Sequence, residues 1–378
     1  MSFQLTAEQE MIRLMAQEFA RKELEPYAHE RDQKGIFSLE VMKKMGSLGL
    51  MGMMVPPEFG GTGTGAVSYV LAMQEIAYAC ASTAVTMSVC NLSADPILKY
   101  GTEAQKEKYL APLAAGEKFG AFAITEPAAG SDPGSMVSRA EDKGDYYLVN
   151  GSKIFITNGL YADMIILVVR AGADRSNRAF SAFILEKDTP GFTIGRSEDK
   201  MGLRSSNTVE LLFDNCRIPR ENLLGKEGQG FKIAMVALDG GRIGIAAQSV
   251  GIARACLDEA VKYSRNRRQF GRSIASFQAV QWMIADMATD LEAANLLTLN
   301  AADRKDRGLP FSKEASMAKL FASEMANRAA YKSLQIHGGY GYMKDYKIER
   351  LYRDARVTTI YEGTSEVQRL VIAREYTQ

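Results

Sequence analysis

Hydrophobic and polar residues follow different periods in different parts of the chain. Near the N-terminus, Met11, Leu14, Met15 and Phe19 are spaced three or four positions apart and share one face of a predicted helix. The segment FSKEASMAKLFASEMANRAAYKSLQI (311–336) shows the same helical spacing in the C-terminal part. Both ends of the chain are therefore predicted to be helical.

The middle of the chain has a different pattern. FGAFAIT, DYYLVNGSKIFIT, ADMIILVVR, AFSAFILE and NTVELLF are short, rich in β-branched and aromatic residues, and separated by Gly, Asp and Asn. Strands collected in one contiguous block predict a small barrel or sandwich inserted between helical domains. A chain of 378 residues is long enough for two or three such domains.

Composition and charge narrow the class of protein. The chain has 46% hydrophobic and 24% charged residues and a net charge of +1, so nothing draws it to nucleic acid or to a membrane. Its longest apolar runs, such as MIILVV, are too short for a membrane span. Four cysteines without a CxxC pair, and a start with no signal-peptide pattern, favour a cytoplasmic location. Two histidines and no HExxH argue against a metal site.

The segment IYEGTSEVQR (360–369) carries a glutamate just ahead of a predicted helix. Ser365 and Gln368 have the spacing of a capping box, so the helix is expected to begin there. Glu362 lies before this cap, after the β-branched run VTTI. The ordinary interpretation is a solvated turn residue, because glutamate is mostly exposed in proteins.

Four further segments could either contact a ligand or form ordinary loops and helix ends. GGTGTGA (60–66) contains the GxGxxA pattern, but no strand precedes it, so a loop between helices is expected. SRNRRQFGR (264–272) fits a solvated helix end or an anion clamp equally well. HGGYGY (337–342) and TEPAAGSD (125–132) are small-residue loops whose backbone could approach a ligand closely.

Seven segments in their order along the chain resemble the acyl-CoA dehydrogenase flavoproteins, most closely the short-chain, butyryl type. They are PEFGGTG, FAITEPAAGSD, VNGSKIFITNG, ALDGGRIGIAAQ, RRQFG, QIHGGYGY and YRDARVTTIYEGTSEVQR. The resemblance covers essentially the full length. It implies an α+β fold with an α-helical N-terminal domain (1–115), a β-barrel middle domain (116–225) and a helical-bundle C-terminal domain (226–378). It also implies FAD, a homotetramer, and electron-transferring flavoprotein as the electron acceptor.

The resemblance also implies which residues hold FAD. The flavin ring and its surroundings would be lined by Phe122, Ile124, Thr125, Ser131, Phe155 and Thr157, and completed by Thr364, Ser365 and Glu366. The pyrophosphate and adenosine half would be held by Arg267, Phe270, Gln278, Gln335, Gly338 and Gly339, typically of a neighbouring subunit. Phe155 stands where many members carry tryptophan. It keeps an aromatic wall but lacks the indole N–H donor.

Glu362 acquires a chemical role through this resemblance. Removing hydrogen from an acyl thioester requires a base at the weakly acidic α-carbon and a donor for the enolate-like oxygen. In short- and medium-chain members the base is the Glu of YEG, here Glu362, whose backbone N–H is the expected oxyanion donor together with the flavin ribityl 2′-hydroxyl. Relatives with the base elsewhere carry it at the position of Gly241, which has no side chain. Substrate contacts are expected from Asp239 and Arg242 on the CoA portion, and from Ser131 and Gly363.

The acyl group is expected to be short or compact, including branched or alicyclic groups. Glutaryl-type members place an arginine at the position of Ala84, which argues against a dicarboxylyl substrate. Asn91 and Asp95 either cap or bridge helix ends or form a polar wall of the acyl pocket. An acid in that wall could abstract a distant proton, which leaves open a 1,4-dehydrogenation of a cyclic enoyl-CoA. An acyl-CoA oxidase on the same scaffold is a further alternative.

Overall fold

The N-terminal part of the protein is helical. The structure, a computed structural model, describes residues 4–172, 176 and 179–377. The α-helices of the first part are α1 (Ala7–Phe19), α2 (Ala28–Lys34), α3 (Leu39–Ser47), α4 (Gly65–Ala79), α5 (Ala81–Tyr100) and α6 (Glu103–Ala114). GGTGTGA lies in the loop that leads into α4, as expected. α4 and α5 are buried along nearly their whole length, which explains why they carry few charged residues, Glu75 in α4 and Asp95 and Lys99 in α5.

The middle part contains β-strands. They are β1 (Gly120–Ala123), β2 (Arg139–Asp142), β3 (Tyr146–Thr157), β4 (Met164–Arg170), β5 (Phe180–Glu186), β6 (Phe192–Ser197), β7 (Thr208–Pro219) and β8 (Leu223–Leu224). These strands form one sheet in the order β6-β7-β3-β2-β4-β5-β8, and β1 pairs with β4 in parallel. Most other pairs are antiparallel, such as β3 with β7 and β4 with β5.

The sheet curves around its own core and also covers the helices. The rings of Tyr147 on β3 and Phe183 on β5 are 4.7 Å apart, although β2 and β4 separate these strands in the sheet. On β4, Ile165 and Leu167 pack into this inner core, whereas Ile166 packs against residues of the helical part. Because both faces of β4 are buried, its sequence MIILVVR shows no alternation.

The C-terminal part returns to long helices. They are α7 (Gly230–Asn266), α8 (Gln278–Asp306), α9 (Ser312–His337), α10 (Lys347–Arg356) and α11 (Ser365–Thr377), with the short strands β9 (Arg268–Gln269) and β10 (Arg272–Ser273) between α7 and α8. α7 and α9 share a core with α4 and α5. Close approach requires small residues: a Cβ atom on Gly251 would lie 2.4 Å from the carbonyl oxygen of Gln74. This order of helices, strands and helices confirms the predicted α+β fold.

One surface departs from the simple hydrophobic pattern. Met11 and Leu14 of α1 are exposed, whereas Phe19 of the same predicted face is buried together with Ala16. Helical spacing identifies a face, but it does not determine whether a neighbour covers that face.

In the part of the chain that the structure describes, no helix combines the length and the apolar composition needed to cross a membrane. The described residues also contain no group of three or more His, Cys, Asp or Glu side chains placed to hold a metal ion.

Candidate active site

Glu362 lies in an irregular loop between a 3₁₀ turn (Val357–Thr359) and α11. Its backbone φ is +53°, and that of Gly363 is +90°. A left-handed conformation is uncommon for a residue with a side chain and costs about 1–3 kcal/mol where it is sparsely populated. Surrounding contacts must therefore hold this loop in place, and such strain is concentrated at functional sites.

Two buried side chains supply those contacts. Gln368 Nε2 donates to the carbonyl oxygens of Glu362 (3.1 Å) and Gly363 (2.9 Å). Lys319 Nζ donates to the same Gly363 oxygen at 2.7 Å. The predicted capping box is wrong in register, because the Thr364 hydroxyl accepts the Val367 N–H at 3.3 Å.

The cap lies at Thr364 because neither Ser365 nor Gln368, the two residues of the predicted capping box, bonds to the start of the helix. Gln368 turns back to the strained carbonyls instead of the helix start. Ser365 is buried, and its hydroxyl has no hydrogen-bond partner among the described residues. The spacing of residues in the sequence does not show that the Gln368 side chain has these alternative partners.

The Oε2 atom of the Glu362 carboxyl group is buried and the residue as a whole is half-buried, so it is not a solvated turn glutamate. Its Oε2 atom has no hydrogen-bond partner within the described part of the chain. Burial raises the pKa of Glu362 to about 7, and the positive charges of Arg242 and Lys319 act against that rise. A carboxyl group with a pKa near neutral pH is suited to taking and releasing a proton.

Gly241 faces this carboxyl group from α7. A Cβ atom on Gly241 would lie 2.7 Å from Glu362 Oε2 and 3.1 Å from Leu92 Cδ1. The absence of a side chain at 241 therefore leaves room for the carboxyl group. The two candidate positions for a base, far apart in sequence, converge on one point.

A narrow cavity begins beside Gly241. The space in it that a water-sized sphere can occupy is about 10 Å³, and its walls are formed by Met54, Tyr69, Ser88, Asn91, Leu92, Asp95, Ala237, Gly240, Gly241 and Lys305. Asn91 and Asp95 lie inside α5, so neither caps a helix end. Asn91 Nδ2 donates to the Met87 carbonyl oxygen at 3.0 Å.

Asp95 forms a buried ion pair in the wall of this cavity. Its carboxylate lies 2.8 Å from Lys99 Nζ and 3.3 Å from Lys305 Nζ. Burial raises the pKa of Asp95, but the charges of the two lysines outweigh this effect, and the net pKa lies below the ordinary value. Ala84 is fully buried and brings no charge to this region.

The residues predicted to line the flavin ring lie in β1, in the loop after β1 and at the C-terminal end of β3. Ile154 N–H donates to the Thr125 carbonyl oxygen at 2.9 Å and so joins that loop to β3. Phe155 follows at a β-bulge, with φ +58° and 61% of its surface exposed. Phe122 is buried against the helical part, Ile124, Thr125 and Thr157 are partly exposed, and Ser131 is exposed.

The second predicted cofactor group lies elsewhere on the chain. The Arg267 guanidinium stacks 5.4 Å above the ring of Tyr340. Phe270, with φ +51°, is 92% exposed, and Gln278 and Gln335 are exposed as well. A Cβ atom on Gly338 or Gly339 would meet no described atom within 4 Å.

The two cofactor groups are far apart. Lys319 touches Gly363, and Gln335 is 16 positions further along α9, which corresponds to about 24 Å along the helix axis. Thr364, Ser365 and Glu366 lie with the first group, at the start of α11. Among the described residues, no hydrogen bond or ring contact joins the first cofactor group to the second.

Asp239 and Arg242 form a buried pair near the site. Arg242 donates to Asp239 Oδ1 at 2.6 Å and to Ser316 Oγ at 3.3 Å, while its Nε has no partner among the described residues. Burial lowers the pKa of Arg242, and the charges of Asp239 and Glu362 oppose this. Arg242 therefore acts on Glu362 electrostatically in addition to its predicted contact with CoA.

Sequence patterns had not singled out Lys319 or Lys305, and they gave Gln368 only the role of a capping-box partner. One signal for Lys319 was available, because it lies on the face of α9 that carries the buried Ala315, Ala322 and Ala326. No comparable signal exists for Lys305, whose partner Asp95 is 210 positions away.

Comparisons with known proteins bear on the class of this site. The profiles of the acyl-CoA dehydrogenase N-terminal, middle and C-terminal domains match residues 6–117, 121–216 and 228–377. The short-chain specific acyl-CoA dehydrogenase of Clostridium acetobutylicum is 49% identical over 374 residues, which is 99% of each chain. Butyryl-CoA dehydrogenase from Megasphaera elsdenii is 46% identical and superimposes with a TM-score of 0.98 over the whole of both chains. A chain in a structure of the electron transferring flavoprotein of Acidaminococcus fermentans is 51% identical, with a TM-score of 0.99 over both whole chains.

The fold and the site thus define an acyl-CoA-oxidising flavoprotein, and the chain belongs to the acyl-CoA dehydrogenase family. It is an FAD-dependent oxidoreductase that acts on the CH–CH bond of acyl-CoA. The residues present fit the cofactor in two respects. Phe155 offers an exposed aromatic face in a strained conformation. The hydroxyl of Ser365 and the Oε1 atom of Gln368 are buried without a described partner beside the loop that carries Glu362.

Proposed function

We propose that the protein converts a short or compact acyl-CoA to its 2-enoyl-CoA, with Glu362 as the base. The single observation that supports this most strongly is the buried Glu362 carboxyl, whose pKa of about 7 lies far above that of an ordinary carboxyl group. A carboxylate that is only partly ionised at neutral pH is a stronger base than a solvated one. Its contact with the position of Gly241, which lines the cavity, supports a location of Glu362 next to the acyl chain.

In the proposed reaction, Glu362 takes the α-proton of the acyl thioester. Its backbone N–H has no partner that we find among the described residues, and it would donate to the thioester carbonyl oxygen as negative charge develops there. When bound, FAD supplies the two-electron acceptor for the β-hydrogen, which leaves as hydride. The acyl chain is thereby oxidised by two electrons, and the α-proton stays on the Glu362 carboxyl.

The cavity supports a short or compact acyl group. The space in it that is open to a water-sized sphere is only about 10 Å³, far below the usual range for small-molecule sites, so little room is left for a long chain. Its wall contains the Asp95–Lys305 ion pair, which a long alkyl chain would have to pass or desolvate. We therefore favour chains of about four carbons or a compact ring over long straight chains.

Asp95 is poorly suited to act as a second base. The two lysines lower its pKa, so its carboxylate binds protons weakly. Asn91 is an amide and does not titrate. These properties favour 1,2- over 1,4-dehydrogenation, and they assign to Asn91 and Asp95 the role of shaping the acyl pocket.

The proposal extends to partners and assembly. The family resemblance and the relative from an electron transferring flavoprotein structure support such a flavoprotein as the electron acceptor. The exposed second cofactor group, with Phe270 and Arg267, supports a homotetramer in which this group reaches the FAD of a neighbouring subunit. All four cysteines are buried and unpaired, which is consistent with the predicted cytoplasmic location. We place the domain limits at 115/116 and 225/226, between α6 and β1 and between β8 and α7.

Anaerobic titration of the yellow protein tests the function directly. Butyryl-, isobutyryl-, hexanoyl-, glutaryl- and cyclohexanecarboxyl-CoA are added in turn, and bleaching of the flavin absorbance is followed. We expect bleaching by the compact acyl groups with the wild type and none with Glu362→Gln. Absence of bleaching by every thioester would contradict the proposal. Rapid oxygen consumption with stoichiometric peroxide would instead favour an acyl-CoA oxidase.

A further inference from the structure

Lys319 is a fully buried lysine in the first third of α9. It is 0% exposed and lies on the helix face that packs into the core, in line with the buried Ala315, Ala322 and Ala326. The apolar pattern of this face calls for a small hydrophobic residue. A buried ammonium group costs several kcal/mol in desolvation unless its charge and its donors find partners. A lysine at this position therefore needs partners that compensate for the burial of its charge.

The partner of Lys319 is the loop that carries the base. Its Nζ atom donates to the Gly363 carbonyl oxygen at 2.7 Å. This carbonyl belongs to the second of two consecutive left-handed residues, and Glu362 is the first. Gln368 is the other side chain that donates to this strained pair. Without such contacts the loop could relax to a less strained conformation and carry Glu362 with it.

The charge of Lys319 also acts on the base. Lys319 and Arg242 are the cations whose charges lower the pKa of Glu362 against the effect of burial. Burial in turn lowers the pKa of Lys319 to about 8, and the charge of Glu362 opposes that fall. The attraction between Lys319 and Glu362 is present only when Glu362 is ionised, which is the form that accepts the α-proton.

We propose that Lys319 is a positioning residue for Glu362, which it holds through the Gly363 carbonyl and keeps ready as a carboxylate. The inference rests on the proposed role of Glu362 as the base. Lys319 does not touch the acyl group. It fixes the backbone that carries both the carboxyl group and the N–H expected to meet the thioester oxygen.

Substitution of Lys319 separates this role from a merely structural one. Lys319→Met keeps an unbranched chain but removes the charge and the donor, whereas Lys319→Arg keeps both. With butyryl-CoA, we expect Lys319→Met to lower kcat by about 10²-fold, the loss that a small misplacement of a reacting group causes. KM and the flavin absorbance should stay close to the wild type, and Lys319→Arg should recover part of kcat.

Two further measurements report on the base itself. The first is exchange of the butyryl-CoA α-proton with D2O, followed by NMR on enzyme whose flavin has been reduced beforehand. Exchange needs the base but no hydride transfer, and we expect Lys319→Met to slow it as much as it lowers kcat. The second is the pH dependence of kcat/KM, whose midpoint should move upward when the positive charge is lost. Arg242 remains as the charged neighbour, and Tyr69 and Tyr361 remain neutral because burial raises their pKa values.

Lys347→Met is the matched control. Lys347 is also a largely buried helical lysine, but it pairs with Glu25 at 2.9 Å rather than with the catalytic loop. We expect its kcat, proton exchange and pH midpoint to equal those of the wild type. If Lys319→Met also kept all three wild-type values and changed only the melting temperature, Lys319 would be structural and the inference would be wrong. Wild-type turnover in Glu362→Gln would instead overturn the proposed function itself.

Discussion

The carboxyl group of Glu362 lies where a side chain on Gly241 would begin. A Cβ atom on Gly241 would be 2.7 Å from Glu362 Oε2, closer than real Cβ atoms approach other atoms. The two residues are 121 positions apart and belong to different elements, a loop before α11 and the interior of α7. Their proximity explains why only one of the two positions carries a carboxyl group in this chain.

Gly241→Ala should displace the carboxyl group without disturbing the helix. Alanine favours a helix interior by about 1 kcal/mol over glycine, so the melting temperature should not fall. The added methyl group would press on Glu362 Oε2 and Leu92, and we expect kcat to decrease by about tenfold or more. Steady-state kinetics with butyryl-CoA and thermal unfolding measure the two effects.

Gly240→Ala is the neighbouring control for this prediction. Its Cβ atom would approach Lys305 Nζ at 3.0 Å, the mobile end of a long side chain, rather than the catalytic carboxyl. We expect Gly240→Ala to change KM, whereas the midpoint of its pH profile should stay close to that of the wild type. An equal loss of kcat in both variants would indicate a general effect on α7 rather than a local one on Glu362.

The rate should rise with pH through a midpoint near 7. Burial raises the pKa of Glu362 to about 7, and only its ionised form can accept the α-proton. kcat/KM should therefore be small below this pH, rise through it, and decline again at higher pH, where Lys319, whose pKa burial lowers to about 8, loses its charge. The charged groups that face Glu362 are Arg242 and Lys319. A profile with a midpoint near 4.5 would show that the carboxyl group is solvated in the working enzyme.

The same pKa shift predicts how stability depends on pH. Because the folded state binds the proton of Glu362 more tightly than the unfolded state, this group makes the protein less stable as pH rises from about 4.5 to about 7. Glu362→Gln removes that effect. The variant should melt at a higher temperature than the wild type at pH 8, and the difference should shrink toward pH 5.

The Asp95–Lys305 pair should limit acyl-chain length. Replacing both residues by Asp95→Leu and Lys305→Met makes this part of the cavity wall apolar, so the ratio of kcat/KM for hexanoyl- over butyryl-CoA should rise by about tenfold. Each single variant leaves a buried charge with fewer partners and should be less stable than the double variant. An unchanged ratio would show that the pair does not border the acyl chain.

Lys153 should stabilise the loop that is predicted to contact the flavin. This lysine is fully buried, and its Nζ donates to the Ile124 carbonyl oxygen at 3.0 Å and to Glu126 at 2.8 Å. Lys153→Met removes both bonds, and we expect weaker FAD retention and a lower melting temperature. Flavin release during heating, followed by its fluorescence, measures both. Lys143→Met, which removes a more exposed pair with Glu141, should match the wild type.

The sequence alone determined the order of the elements and the identity of the candidate base. Periodicity separates the helical parts from the strands because an amphipathic helix and a half-buried strand repeat at different intervals. The resemblance to the acyl-CoA dehydrogenases, carried by motifs such as YEG, singled out Glu362 as the candidate base and implied that no alternative base stands at Gly241. The order of the elements depends on residue type and local spacing, and the candidate base depends on the family motif.

The tertiary structure decided the features that arise from residues distant in sequence. The exposure of Met11 depends on whether another element covers α1. The capping-box prediction failed because Gln368 bonds to the strained Glu362 and Gly363 carbonyls, a conformation that spacing does not reveal. The pKa of Glu362, the buried position of Lys319 and the pairing of Asp95 with Lys305 all result from packing of α5, α7, α8 and α9 around one loop. Desolvation and charge act through space, so only the folded chain sets their magnitude.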